Sequence, residues 1–285
     1  MVDFDRFLFA FTIGSHIILV ATSISLILLI AVLEYFNLRK KDEVQSDLIR
    51  RLKRVFIISF GVGTASGIVV AVELVNLFPG FMTVVSETGI IGAFYLEIFA
   101  FFLETIALVI YVYFENIFRW KYANFTLASI IAFGTLLSGV LITMVNAWMN
   151  TPNGFYFNTA NGMYSSTAKV IVTSVWAPLA TPSTFSEIAH VLSTTVFAGT
   201  MLIGSYFAYR YLKARNYYEK GMFRSVLRKI SGISIIGIVL AGITGSNEMA
   251  TLLQYQPLKY AALDLNLLRA QAFLRDSLVA SLTVT

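Results

Sequence analysis

Six apolar segments, each long enough to cross a lipid bilayer, constrain this 285-residue chain more than any other feature of its sequence. A helix needs about 20 apolar residues to cross roughly 30 Å of hydrocarbon. The segments run from Phe7 to Phe36, Val55 to Phe78, Gly89 to Phe114, Tyr122 to Met149, Phe185 to Tyr209 and Ile230 to Met249. With 57% hydrophobic and 13% charged residues, a water-soluble globular fold is excluded. We therefore expect an all-α integral membrane protein with about six transmembrane helices.

The basic residues are distributed unevenly between the connections. Sixteen of the 21 lie between segments one and two, three and four, or five and six, and the others are Arg6, Lys169, Lys259, Arg269 and Arg275. Basic loops remain in the cytoplasm, so both termini are predicted to lie outside a multi-pass protein of the cell membrane. The net charge of +5 is thus a topology signal and does not indicate nucleic-acid binding. We expect a membrane bundle over residues 1–250 and an outer tail over 251–285, and we expect 150–186 to lie on the membrane surface or against a partner.

The only two histidines, His16 and His190, lie within the first and fifth segments. Ionisable side chains at bilayer depth are costly and usually mark a pathway, a ligand or a pair. Imidazole is the commonest metal ligand and a frequent axial ligand of haem iron, whereas the absence of cysteine excludes thiolate sites. The two histidines are therefore candidate ligands. The alternative is that each is satisfied by a neighbouring carbonyl and serves helix packing.

Two carboxylates of the third segment, Glu97 and Glu104, are seven residues apart and so share one helical face. This spacing suits a proton relay, although carboxylates that merely pair with another helix would show the same pattern. Glu73 and Glu248 lie closer to a segment end, where a solvated role is favoured. All these groups fall in the outer half under the predicted topology, and the inner half is expected to hold almost none.

Small and polar residues supply two weaker signals. Gly61, Gly63 and Gly67 have the spacing of a close helix contact, against another helix or a flat macrocycle. Asn146 and Trp148, at the end of the fourth segment, could line a cofactor, but such residues are also ordinary at a membrane interface.

Six motifs in register resemble subunit I of the cytochrome bd family of quinol oxidases. They are RFLFAFTIGSH at 6–16, GTASG at 63–67, AFFLE at 100–104, GTLLSGVLITMVNAWMNTP at 134–152, FSEIAH at 185–190 and QPLKYAALD at 256–264. The resemblance covers nearly the whole chain. It implies a quinol:oxygen oxidoreductase with haem near the outer face, including haem b, with haem d as a further candidate.

The resemblance also implies roles for individual residues. His16 matches the axial ligand of the oxygen-site haem, His190 matches a ligand of the low-spin haem b, and Glu104 matches a carboxylate associated with protons. Ser138, Asn146 and Trp148 match the polar lining of that region. Lys259 and Asp264 match the Lys and the acidic residue of the quinol-oxidation loop. Quinol and oxygen are then the substrates, and protons from quinol are expected to leave on the outer side.

Two departures from the family pattern qualify these roles. Glu97 lies one residue closer to Glu104 than the family's second carboxylate, whose place Leu96 occupies. The family's later helices, which carry a methionine ligand near a Gly-Arg-Gln-Pro-Trp run and a glutamate ligand, have no counterpart in this sequence. A second membrane subunit is the simplest source of those ligands, with the chain's own methionines as a weaker alternative.

Three functions therefore remain open at this point. The chain is either a shortened or split oxidase subunit that is active with a partner, or a non-catalytic or haem-b-only paralogue that scaffolds a catalytic subunit. A haem-free transporter that uses the carboxylates is the third, with little support beyond the number of segments.

Overall fold

Six long helices dominate the computed structural model, which describes residues 2–39, 43–113, 122–158 and 169–264. They are α1 (Val2–Arg39), α2 (Glu43–Leu77), α4 (Ile91–Tyr113), α5 (Ala123–Asn150), α6 (Thr184–Lys213) and α7 (Tyr217–Tyr255). The described residues also form two short helices, α3 (Pro79–Glu87) and α8 (Pro257–Asp264). The remaining elements are a 3-10 turn (Ala177–Leu179) and strands β1 (Phe155–Asn158) and β2 (Lys169–Val172). The six long helices are long and apolar enough to cross a membrane, which confirms the predicted architecture.

The helices α2 and α7 begin about a dozen residues before the apolar segments that predicted them. Their first turns are polar, and α7 is started by Asn216, whose side chain accepts a hydrogen bond from the backbone N–H of Glu219 at 2.7 Å. A hydropathy window detects only the part of a helix that suits lipid. It therefore misses the part that continues past the apolar segment.

Consecutive long helices run antiparallel, as the contacts between α1 and α2 show. Thr12 bonds Glu73, Ser23 bonds Ser59, and Gln45 donates to the carbonyl of Leu33, so positions increase along one helix as they decrease along the other. We call the end of the bundle with the start of α1 and the strands the hairpin end. The opposite end, which holds Arg51 and Lys213, is the basic end.

Helix α1 forms the spine of the bundle, since Leu26, Ile27, Leu29, Ile30 and Leu33 are almost completely buried. It packs against α2, α5 and α6. The approach of α6 is very close: a Cβ at Gly199 would lie 2.4 Å from the carbonyl oxygen of Ala21 and 2.2 Å from the hydroxyl of Ser25. No residue other than glycine fits at this crossing without displacing backbone.

A second apolar cluster caps the hairpin end. Val85, Ile90, Ala93, Val145 and Trp148 are buried there, joining α3 and the start of α4 to the end of α5. Strands β1 and β2 form an antiparallel pair in the register Phe155 to Val172. Phe155 packs on the cluster, and a Cβ at Gly89 would meet the backbone of Val175. Phe155 and Leu179 of the segment 150–186 thus pack on the chain's own helices, whereas Tyr156, Phe157 and Trp176 are exposed.

Candidate functional site

The imidazole of His16 lies between α1 and α2 in a defined hydrogen-bonded position. Its Nδ1 is 3.1 Å from the carbonyl oxygen of Gly63 and 3.0 Å from the hydroxyl of Ser66. A carbonyl only accepts hydrogen bonds, so Nδ1 carries the proton and Nε2 presents a lone pair. Gly67 makes room for the ring, because a Cβ there would lie 3.0 Å from Cε1. The predicted close contact is confirmed at Gly67, whereas a Cβ at Gly63 would lie at an ordinary 3.7 Å from Cβ of Leu19 and Gly61 faces open space.

The imidazole of His190 is placed in the same way between α6 and α7. Its Nδ1 lies 3.4 Å from the hydroxyl of Thr244, which itself donates to the carbonyl of Leu240 at 2.7 Å. The Thr244 oxygen therefore accepts from Nδ1, and Nε2 again presents a lone pair. Gly245 leaves space for the ring, since a Cβ there would lie 2.9 Å from Cε1.

Both histidines fit the requirements of axial haem ligands. A ligating histidine typically donates its second ring N–H to a carbonyl, hydroxyl or carboxylate, which fixes the tautomer and the ring orientation. His16 and His190 both do so, and Nε2 has no hydrogen-bond partner within the described part of the chain. In that same part, no group of three or more His, Cys, Asp or Glu side chains could hold a bare metal ion.

The two carboxylates of α4 both face α5. Ser138 donates its hydroxyl to Oε1 of Glu97 at 3.0 Å, so two predicted site residues contact one another. Glu104 is buried where α4 and α5 cross closely. A Cβ at Gly134 would lie 3.0 Å from the Cβ of Glu104. Its Oε2 is buried without a hydrogen-bond partner among the described residues. A buried polar atom without a partner requires an explanation, and a role in proton exchange or in binding a group is one.

Two expectations about the remaining charged groups are wrong. Glu73 is buried and accepts a hydrogen bond from Thr12 at 3.0 Å, so it is not a solvated interfacial residue. The basic end of the bundle is not empty either. Tyr111 donates to buried Glu34 at 2.6 Å, and the ammonium of buried Lys53 lies 3.9 Å from the Tyr111 ring centroid.

Asn146 and Trp148 lie on different faces of α5. The amide of Asn146 donates to Oε2 of Glu187 on α6 at 2.7 Å. Trp148 instead packs in the apolar cap, 5.7 Å from Phe155 between ring centroids, and its buried Nε1 has no hydrogen-bond partner among the described residues. Asn146 thus points toward the helix of His190, whereas Trp148 lies beneath the strands.

Glu187 and Asn150 are site residues that were not predicted from the sequence. Asn150 donates to Oε1 of Glu187 at 2.9 Å, and its own amide oxygen accepts from the ammonium of Lys259 at 3.2 Å. Glu187 lies in the FSEIAH motif, one turn before His190. An intramembrane carboxylate at that spacing was the available signal. The other predicted loop residue, Asp264, ends α8, and its side chain lies outside the described residues.

Comparison with known proteins places this arrangement in a family. Residues 4–278 match the family model of the cytochrome bd terminal oxidase subunit I. The chain is 30% identical over 258 residues to a candidate cytochrome bd menaquinol oxidase subunit I of Bacillus subtilis, covering 90% of this chain and 56% of that protein. It is 26% identical over 270 residues to the cytochrome bd-II ubiquinol oxidase subunit 1 of Escherichia coli, covering 93% and 49%.

The fold leads to the same family. The bd oxidase of Geobacillus thermodenitrificans superposes with a TM-score of 0.83 at 30% identity, over 92% of this chain and 58% of that one. The chain thus spans about half the length of the relatives it matches. It is a multi-pass membrane protein and belongs to the cytochrome bd terminal oxidase subunit I family.

Proposed function

We propose that this chain carries electrons from membrane quinol to oxygen as the haem-binding part of a bd-type oxidase. One observation carries the proposal: both histidines lie in the half of the bundle nearer the hairpin end, and each has Nδ1 engaged, Nε2 without a partner among the described residues, and a glycine opposite the ring. Haem, when bound, supplies one-electron transfer and oxygen binding at its iron. The histidine tautomers and the glycines prepare the chain to hold it.

The two histidines have different roles in this proposal. His190 would hold a low-spin haem b, which would supply electron transfer from quinol, and His16 would hold the haem of the oxygen site. Glu97, oriented by Ser138, and buried Glu104 lie on one face of α4 and hold protons for oxygen reduction. Asn146 and Trp148 shape the surroundings of these sites from α5.

Quinol is oxidised at the hairpin end, where Lys259 and Asp264 bind its headgroup. This end faces the outside under the positive-inside rule, so protons from quinol leave there. Protons for oxygen reduction enter from the basic end, and turnover is then electrogenic without a pump.

A second membrane subunit takes part in this proposal, because the family and the matched relatives are named as subunit I or subunit 1 of an oxidase. A second candidate function is a non-catalytic or haem-b-only paralogue that scaffolds a catalytic partner, and it is favoured by Glu97, which lies one residue away from the position of the family's second carboxylate.

A reduced-minus-oxidised visible spectrum of the complex purified in detergent separates the two candidates. The experiment adds pyridine haem analysis, carbon monoxide and identification of the co-purifying chains. Haem with a carbon-monoxide-reactive fraction that depends on His16 supports the oxidase. Low-spin haem alone favours the paralogue, and a haem-free complex removes both histidine assignments.

A further inference from the structure

Polar side chains from three helices form one hydrogen-bonded chain at the hairpin end. Glu187 on α6 accepts from Asn146 on one carboxylate oxygen and from Asn150 on the other, at 2.7 and 2.9 Å. Lys259 on α8 donates to the amide oxygen of Asn150 at 3.2 Å. Glu187 is only 4% exposed, whereas Lys259 is exposed. A buried anion is thus connected to a surface cation through a single amide.

These hydrogen bonds fix the orientation of the Asn150 side-chain amide. Its NH2 group faces the carboxylate of Glu187 and its oxygen faces the ammonium of Lys259. The flipped amide would place its oxygen against a carboxylate and its NH2 against an ammonium, and both contacts would be repulsive. Glu187 therefore selects one orientation of Asn150, and Asn150 in turn holds Lys259. The first turn of α6 suits a carboxylate, because the helix dipole is positive there.

Asn150 also borders a cleft of about 420 Å³ at the same end of the bundle. Thr151, Pro152, Asn153, Pro182 and Tyr255 line the rest of it. This volume lies within the range of about 300–1,000 Å³ that is usual for small-molecule sites. The hydroxyl of Thr151 lies 2.7 Å from that of Ser183, which ties the end of α5 to the start of α6 beside the cleft.

We propose that this cleft receives the quinol headgroup and that Glu187 is its positioning residue, acting through Asn150 on Lys259. The inference deepens the proposed function and rests on it. Asn150 presents a fixed amide, and Lys259 presents an ammonium, to the oxygens of the headgroup ring. Pro182 and Tyr255 supply apolar and aromatic wall to the ring itself. Glu187 does not touch the headgroup, so its effect is on binding and not on electron transfer.

The test compares Glu187→Gln with Glu87→Gln in the purified complex. Glu87 is an exposed carboxylate at the end of α3, so the control makes the same chemical change at the same end of the bundle. The Glu187→Gln side chain would turn an NH2 group toward one of the asparagines and would lose the charge that orients Asn150. We expect Glu187→Gln to raise KM for a short-chain ubiquinol or menaquinol about tenfold, with kcat and haem content within twofold of the parent. The control should change neither.

A double-mutant cycle with Asn150→Ala tests the route. If Glu187 acts through Asn150, the double variant is no worse than Asn150→Ala alone, because the pathway is already interrupted. Additive losses of affinity, or an unchanged KM in Glu187→Gln with intact haem, would overturn the inference. Loss of haem from Glu187→Gln would also overturn it, since the carboxylate would then support the haem pocket.

Calorimetric titration with the oxidised short-chain quinone separates this inference from the proposed function. Quinone binding to the parent complex that weakens in Glu187→Gln supports the cleft even where no quinol is turned over. Turnover of quinol with equal quinone affinity in both proteins would keep the oxidase function and reject Glu187. A parent complex that neither binds quinone nor oxidises quinol would reject both.

Discussion

The two histidine sites are alike in plan and differ in how firmly the imidazole is held. Each ring extends from a helix that starts at the hairpin end toward a glycine of the following helix. His16 is held by a backbone carbonyl and a hydroxyl at 3.1 and 3.0 Å, whereas His190 has one hydroxyl at 3.4 Å. No substitution removes a backbone carbonyl. The orientation of His190 therefore depends on a side chain, Thr244, that a substitution can remove. The orientation of His16 depends in part on a backbone carbonyl, which a substitution leaves in place.

Removing each imidazole should have the largest effect. His190→Ala is expected to abolish the low-spin haem b signal and to spare carbon-monoxide-reactive haem, because the two sites lie on separate helix pairs. His16→Ala should do the reverse. Difference spectra with and without carbon monoxide measure both. If either variant lost both signals equally while remaining folded, the comparison of two independent sites would fail.

Substituting the glycines that face the two imidazoles, Gly67 and Gly245, should have the second-largest effect. We call these two substitutions the notch variants. Gly245→Ala and Gly67→Ala place a Cβ 2.9 and 3.0 Å from the facing Cε1, so each ring must shift by a few tenths of an ångström from the position that we propose for haem ligation. We expect haem retention at the corresponding site to fall by about 100-fold, the upper end for a misoriented ligand. Gly242→Ala and Gly61→Ala are matched controls on the same two helices, since a Cβ at either meets nothing within 4 Å.

Transfer of haem to an excess of apomyoglobin measures that retention. Equal haem loss from the control and the notch variants would show that the glycines matter for helix packing alone. Loss confined to the notch variants would support the assignment of both rings.

Removing the hydroxyls should have the smallest effect and should separate the two sites. Thr244→Val deletes the partner of His190 Nδ1, so we expect haem loss at that site to accelerate about tenfold. Ser66→Ala leaves the Gly63 carbonyl in place, and we expect an acceleration of about twofold at most. The same transfer assay gives both rates. Equal rates for the two variants would contradict the claim that the backbone carbonyl holds His16.

The sequence predicted those features that depend on position along the chain. Segment length and hydropathy predicted six long helices, and the spacing of Glu97 from Glu104 placed both on one face, which in the structure faces α5. Gly61, Gly63 and Gly67 were predicted to make a close contact; the structure has one at Gly67, and the sequence did not predict that His16 fills it. The identity of that partner depends on how two helices rotate against each other, which one sequence does not specify.

The errors share this cause. Glu73 was expected in solvent because it is near a segment end, yet rotation of α2 turns it toward Thr12. Glu34, Lys53 and Tyr111 come from three helices, and only their packing brings them together. Asn150 and Glu187 likewise attract little attention singly. Their importance lies in pairing across α5 and α6.

The close contact between α1 and α6 at Gly199 is a common reference point for the positions of the two histidines. Ser25 lies nine residues after His16, and Gly199 lies nine residues after His190. Each imidazole is therefore carried on a lever arm of about 13 Å from the same contact. A tilt of a few degrees at this crossing would move the arms apart by roughly 1 Å, with no change near either ring. The two helices are in direct contact at Gly199, so this crossing leaves little room for such a tilt. The distance between the two histidine sites therefore depends on a contact that contains neither histidine.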